Sequence, residues 1–331
     1  PPGSRIGTGS LRRRVQLRLK LRWVHDQLLG LTSEQVPGLG VYPVDLPDVT
    51  DRVSARAQET IQLSANARLD FSLGRSWFSG QSKRDRQSSP FDEVHDRQLD
   101  TQTFESVLTV EDGKSRTWIA GVRSDTELFL QELERTELVD GAPRTRRTPE
   151  VAKTQLASGA LFGQLAWQLA HGVTLLPGVR AELHDRYGGI VAPRLAVAFR
   201  PSEGVPVRTA FGRGFRAPSA KEYGFIFDHS AIGYRVLGNP TLEPERSWGV
   251  TGDATWQAKP WLLLRAGGFG NWVNQLIGTD LAPEQPNPGI TDYTYVNVSR
   301  AKTAGGDALV RLLPNDKVGL DAGYAFLWTH E

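Results

Sequence analysis

The chain has 331 residues with 34 Gly, 20 Pro and 9 Trp but neither Cys nor Met. Without cysteine it has no disulfide scaffold, thiolate metal site or cysteine nucleophile, and Lys+Arg at 39 against Asp+Glu at 37, a net charge of +2, gives no footprint for nucleic acid. Mean hydropathy is negative and there is no run of about 18 apolar residues, which excludes a transmembrane helix but not a transmembrane β-barrel, whose strands alternate apolar-out with polar-in.

The first element is a long amphipathic strand. Val15, Leu17, Leu19, Leu21 and Trp23 fall on one face, and Arg14, Gln16, Arg18, Lys20 and Arg22 on the other, a strict period of 2. Residues 25–51 read as an outer loop, and 51–80 as one long strand or a hairpin. The alternation returns at Leu161, Leu165, Trp167 and Leu169, at Val173 to Leu183, at Val191 to Phe199, and at Val318 to Trp328. In all, about 12 to 14 such strands are expected, longer than those of soluble sandwiches. Short polar turns at 111–114, 170–172, 201–204, 258–260 and 314–317 interleave with long polar segments at 79–96, 131–150, 213–245 and 278–292. Short turns on one side and long loops on the other are the pattern of an outer-membrane barrel.

Two phrases in the second half break the strand pattern. In Phe215-Arg216-Ala217-Pro218-Ser219, Pro218 lacks an N–H and ends a ladder. In Gly238-Asn239-Pro240-Thr241-Leu242-Glu243-Pro244-Glu245, Asn239 and Pro240 carry turn chemistry before the next strand. Either phrase suits ligand capture at a barrel mouth or the architecture of the rim, with Arg216 and Glu245 pairing within the wall. Gly212-Arg213-Gly214 has no βαβ context and is no nucleotide loop.

These phrases, together with PGVRAELH, APRLAVAFRP, NWVNQLI and YVNVSRAKTAGGDALV, occur in order across residues 160–328. In that stretch the chain resembles the barrel of TonB-dependent outer-membrane receptors; before residue 150 only the strand pattern matches. The resemblance implies an all-β, antiparallel transmembrane barrel of roughly 22 strands plugged by a separate N-terminal domain. It implies a Gram-negative outer-membrane location and lipid contact, with energy supplied by TonB, ExbB and ExbD through the plug. The cargo implied is a ferric siderophore, with cobalamin or a passive, unplugged barrel as alternatives. A chain that starts Pro-Pro-Gly, shows no plug and stops at Thr329-His330-Glu331 without the family's terminal aromatic is expected to be a barrel piece. Such a piece would form an open, curved sheet.

Candidate cargo contacts lie between the two phrases: Tyr223, Phe225, Phe227, His229, Tyr234 and Arg235. These aromatics could equally pack the loop. The face of Arg14, Arg18, Lys20 and Arg22 would meet acidic groups of a plug or an anionic chelate. Asn271 and Asn297 are expected to hydrogen-bond within the wall. Catalysis has no support: the six histidines form no H-x-x-x-H or H-E-x-x-H pair and no G-x-S-x-G elbow occurs. No cofactor or protein-held metal is expected.

Overall fold

The computed structural model describes residues 15–36, 40–89, 91–170, 172–202, 204–230, 233–315 and 317–330. Arg14, the first residue of the basic face, lies outside them. The first six strands are long: β1 (Val15–Val36), β2 (Gly40–Ser64), β3 (Ala67–Arg86), β4 (Glu93–Glu111), β5 (Arg116–Val139) and β6 (Ala142–Ala170). Then come β7 (Val173–His184), β8 (Gly188–Phe199) and β9 (Val207–Arg216). A short helix, α1 (Ala220–Gly224), and two four-residue strands, β10 (Ile226–His229) and β11 (Tyr234–Leu237), occupy the insert. The wall resumes with β12 (Glu245–Lys259), β13 (Leu262–Leu281), β14 (Thr291–Asn315) and β15 (Val318–His330).

Each strand from β1 to β8 pairs antiparallel with its successor; β9 pairs β12, and β12 to β15 continue the meander. The wall therefore falls within the expected strand number. Among the described residues no strand pairs the outer edge of β1, and β15 pairs only β14, so the sheet is open. It is also curled. The β10–β11 hairpin pairs β14 through β11, in parallel, at Tyr234↔Thr291 to Leu237↔Thr294. The residue before it, Phe225, bridges Val151 on β6. One small hairpin touches strands far apart along the path only if the sheet wraps around it.

Period 2 divides the wall into two chemistries. On β1, Leu17, Leu19, Leu21 and Trp23 face outward, with Leu19 71 % exposed; on β6, Leu161 is 64 % exposed. A soluble sandwich would bury these stripes against a second sheet; here they form the band that lipid covers. Arg18, Lys20 and Arg22 take the opposite, concave face. They make no hydrogen bond or ion pair among the described residues, while their neighbours Arg56 and Arg52 are engaged by Ser72 Oγ at 2.9 Å and by the Phe78 ring.

Two expectations change, and one open choice closes. Residues 25–51, 79–96 and 131–150 are not long loops: strands run through most of each, so that β6 reaches 29 residues where a crossing needs about 9–11. The excess length rises beyond the membrane as paired hairpins. Residues 51–80 form a hairpin around the turn after Ser64. The strand leading into the first special phrase runs to Arg216, not Arg213.

The lipid stripe gives a direct test. Leu161 pairs Val122 near the middle of the apolar band, so Leu161→Arg is expected to cost about 2–4 kcal/mol. Gln164→Arg on the concave face is expected to be close to neutral. Denaturant unfolding of the receptor in lipid vesicles measures both.

Candidate functional site

The insert between β9 and β12 is built as a clasp, a hairpin and a cleft. The clasp begins where Pro218, fully buried, ends β9. Ser219 then caps α1: Glu222 N donates to its Oγ, and Ser219 N donates back to Glu222 Oε2 at 2.7 Å, the reciprocal capping box. Arg216 holds this helix to the wall. Its guanidinium donates to Glu222 Oε2 and Oε1 at 3.1 and 3.0 Å and to Glu245 Oε1 at 2.6 Å. Glu245 Oε1 also accepts from Ile277 N at 2.9 Å. Burial pushes the Glu222 carboxyl up, but the bonds from Arg216 and Ser219 outweigh it and hold it below its ordinary value.

The second phrase closes the clasp. Asn239 Nδ2 donates to Tyr295 O at 2.8 Å, and Asn239 Oδ1 accepts from Thr241 N at 2.9 Å. Asn297 receives Glu243 N and donates to Glu243 O and Gln275 O. Pro244 is fully buried. A Cβ on Gly238 would lie 2.5 Å from Phe225 N, so only glycine lets the second phrase pass against the end of α1. Leu242 joins Tyr223, Ala220 and Leu156 in a small apolar core flanked by Phe129, Ile277 and Tyr295. Phe215, Ala217 and Pro240 belong to the same folded rim.

The hairpin carries the aromatic residues. Phe225 stacks on Phe227 with centroids 5.7 Å apart, Phe227 lies 4.1 Å from His229, and His229 meets Tyr234 edge-on at 5.4 Å. His229 Nδ1 is 3.1 Å from Tyr234 Oη, and Lys221 Nζ sits 4.9 Å over the Phe225 ring. Arg235 donates to both carboxylate oxygens of buried Asp292, at 2.7 and 2.6 Å, and holds that carboxyl below its ordinary value. This fork fixes β11 to β14.

Between the hairpin and β1–β4 lies a cleft of about 480 Å³. Phe227 and His229 form one wall; Leu28, Leu46, Lys83, Arg84, Glu93 and His95 line the other. Behind it, buried Glu150 accepts from Gln131 Nε2 and pairs with His95 Nδ1, both at 2.8 Å. Burial raises the Glu150 carboxyl, but these two partners more than offset it. Burial, helped by Arg135 and Arg84, pushes His229 below its ordinary value, against Glu93 and Asp228.

The structure thus spreads the candidate residues over three jobs. Phe227 and His229 face the cleft, with Phe225 and Tyr234 packed behind them. Tyr223 is buried in the apolar core and Arg235 is spent on Asp292. Arg18, Lys20 and Arg22 lie on the first strand's concave face, apart from this group. Lys83, Arg84, Glu93 and His95 were missed because 79–96 reads as loop. Both faces of those strands are wet, so no apolar alternation marks them.

Residues 8–330 match the family described as TonB dependent receptor-like, beta-barrel. The chain belongs to that family. Its members are transport receptors of the outer membrane, not enzymes. The iron-regulated outer membrane virulence protein of Vibrio cholerae is 26% identical over 182 residues, covering 53% of this chain and 28% of that protein. The siderophore receptor PirA from Pseudomonas aeruginosa superposes with a TM-score of 0.60 at 14% identity, over 93% of this chain and 63% of its own. The copper transporter OprC gives 0.69 at 12% identity, over 96% and 61%. The receptor chain described here therefore spans less than two thirds of the length of each. At these identities the two solved structures establish a shared fold.

The hairpin's response to acid follows from His229. An opened hairpin takes up a proton near pH 6.5; the closed one resists until lower pH. Closure is thus fully stable above about pH 6.5 and weakens as pH falls below it. Hydrogen exchange at 226–237, corrected for intrinsic rates, is expected to quicken between pH 7 and pH 5. His229→Phe is expected to flatten that dependence, while Arg235→Ala speeds exchange at 234–237 and 291–294 at every pH.

Proposed function

We propose that this barrel belongs to an outer-membrane receptor that takes up a ferric siderophore with energy from TonB. The observation that carries the reading is the rim cleft, where Phe227 and His229 oppose Arg84 and His95 on the concave side of a barrel of this family. A siderophore delivers iron with its ligand shell filled, so recognition falls to the chelate's outer surface. Flat rings and a guanidinium suit a bulky, anionic or aromatic chelate. The iron-regulated relative and the siderophore receptor among the structural matches agree with this cargo. The copper transporter with the same fold is the reason the reading rests on the cleft and not on the fold alone.

In this reading Arg18, Lys20 and Arg22 face acidic groups of a plug, or the anionic cargo on its way inward. Those cations stand side by side on one strand face with no ion pair among the described residues, and their summed positive potential attracts something negative.

The test is uptake of labelled ferric chelates and of cobalamin, in cells with and without the whole gene. Loss of uptake of at least one ferric chelate, with the same loss when TonB is removed, is expected. Loss of cobalamin uptake alone would overturn the siderophore reading, and uptake that persists without TonB would make the barrel passive. For the chelate so identified, Phe227→Ala with His229→Ala is expected to raise Kd about tenfold, roughly 1.4 kcal/mol.

A further inference from the structure

Behind the cleft a small polar node is only half bonded. The ladder between β5 and β6 shifts from Gln131↔Val151 to Glu132↔Pro149, which makes Glu150 the extra residue of a bulge. A bulge re-aims the side chain it carries, and here the carboxyl is buried between His95 and Gln131. Glu150 is 2 % exposed and Gln131 5 %. Both donors that reach the carboxylate, Gln131 Nε2 and His95 Nδ1, go to the same oxygen, Oε2, at 2.8 Å. Glu150 Oε1 and Gln131 Oε1 are buried with no donor among the described residues. Buried acceptors of this kind cost free energy until a donor reaches them, and native folds keep few.

The donors that the node needs stand close by, on α1. Phe225 N donates to Lys221 O at 2.9 Å, and Phe225 bridges Val151, the residue after Glu150. The turn that carries Lys221 therefore sits against the bulge. The Lys221 ammonium makes no hydrogen bond or ion pair among the described residues; its contact is the Phe225 ring, 4.9 Å away. Burial and the like charge of Arg97 push this ammonium down from its ordinary value, against the pull of Glu150. The carboxyl thus already acts on it. With Lys221 and Arg97 both near, a free cation is repelled from the node, and the donor that fits is one the chain already carries.

We propose that Lys221 is a latch with two positions. In one, the ammonium lies on the Phe225 ring. In the other, the side chain swings on its four-carbon stem and donates to Glu150 Oε1 and Gln131 Oε1 together, as charge-assisted bonds. Each position leaves something unmet: the first leaves two buried oxygens, and the second takes the cation from the ring face. The second position fastens the foot of the hairpin to β5 and β6. The latch therefore governs how firmly Phe227 and His229 are seated over the cleft, whichever cargo the cleft takes.

Hydrogen exchange at 226–237 in the whole receptor, in lipid vesicles at pH 7, tests this through a double-mutant cycle. Phe225→Leu removes the ring and is expected to move Lys221 wholly into the node. In that background Lys221→Met and Glu150→Gln are each expected to quicken exchange at least about tenfold, and both together to be little faster than either alone. The crystal structure of Phe225→Leu is expected to show Lys221 Nζ within hydrogen-bond distance of both oxygens. With Phe225 in place, where Lys221 is divided between two positions, the same non-additivity is expected at smaller size, so the cycle can be read even where Phe225→Leu does not fold. Purely additive effects in either background would overturn the latch. So would a Phe225→Leu structure with ordered water on the two oxygens and Lys221 turned away.

Discussion

A strand in lipid has no water to satisfy its backbone, so every N–H and C=O must find another strand. That constraint shapes this molecule before any side chain is considered. It explains why pairing is continuous from β1 to β9 and on through β12 to β15, and why the wall holds few glycines in turn conformations outside its turns. It also explains the small core: only a handful of apolar side chains are buried, and the remainder of the apolar surface faces outward. The hydrophobic effect acts here on the convex face, through lipid, and not through a packed interior. The two open edges, on β1 and β15, are the places where the backbone rule is still unmet.

Above the membrane the rule relaxes, and a different interaction takes over. There the chain leaves the ladder at Pro218 and returns to it at Glu245, and the two ends must be kept together without continuous pairing. Arg216 does this, because one guanidinium reaches both the helix that starts the excursion, through Glu222, and the strand that ends it, through Glu245. A single exposed ion pair contributes little. This one is part of a network with the Ser219 cap and the Ile277 amide, so its members are ordered together. The phrases that identify the family are thus the fastenings of the rim.

How much was legible in advance follows the same division. Leu17 to Trp23 announced a strand because one face meets lipid and the other does not, and any sequence under that pressure alternates. Residues 79–86 lie in an equally regular strand and announced nothing, since Gly80, Ser82 and Arg84 face a wet interior while Gln81 and Lys83 face a wet exterior. The proline and glycine positions of the rim were visible as turn chemistry. Their fastening to distant residues was not: Arg235 and Asp292 are 57 positions apart, and no periodicity links them. Aromatic composition pointed to the right segment but could not tell Tyr223, which packs the core, from Phe227, which faces the cleft. That distinction depends on which side of the hairpin the wall stands.

The wall itself is uneven, and this sets where recognition can occur. β1 to β6 rise well beyond the membrane, whereas β7 and β8 turn back after 12 residues each. The insert springs from the low side and leans on the high side, touching Val151 and Leu156. Its hairpin is anchored twice, by the clasp at its base and by the Arg235–Asp292 fork at β14. Between those anchors it is held by its own short ladder, by the pairing of β11 with β14 and by the Phe225–Val151 bridge, with stacked rings and one histidine–tyrosine contact on the cleft side. Substitutions at the anchors must disturb the fold of the rim. Substitutions at Phe227 and His229 alter the lining of the cleft and leave the fastenings in place, so this is the segment in which a common barrel can be fitted to different cargo.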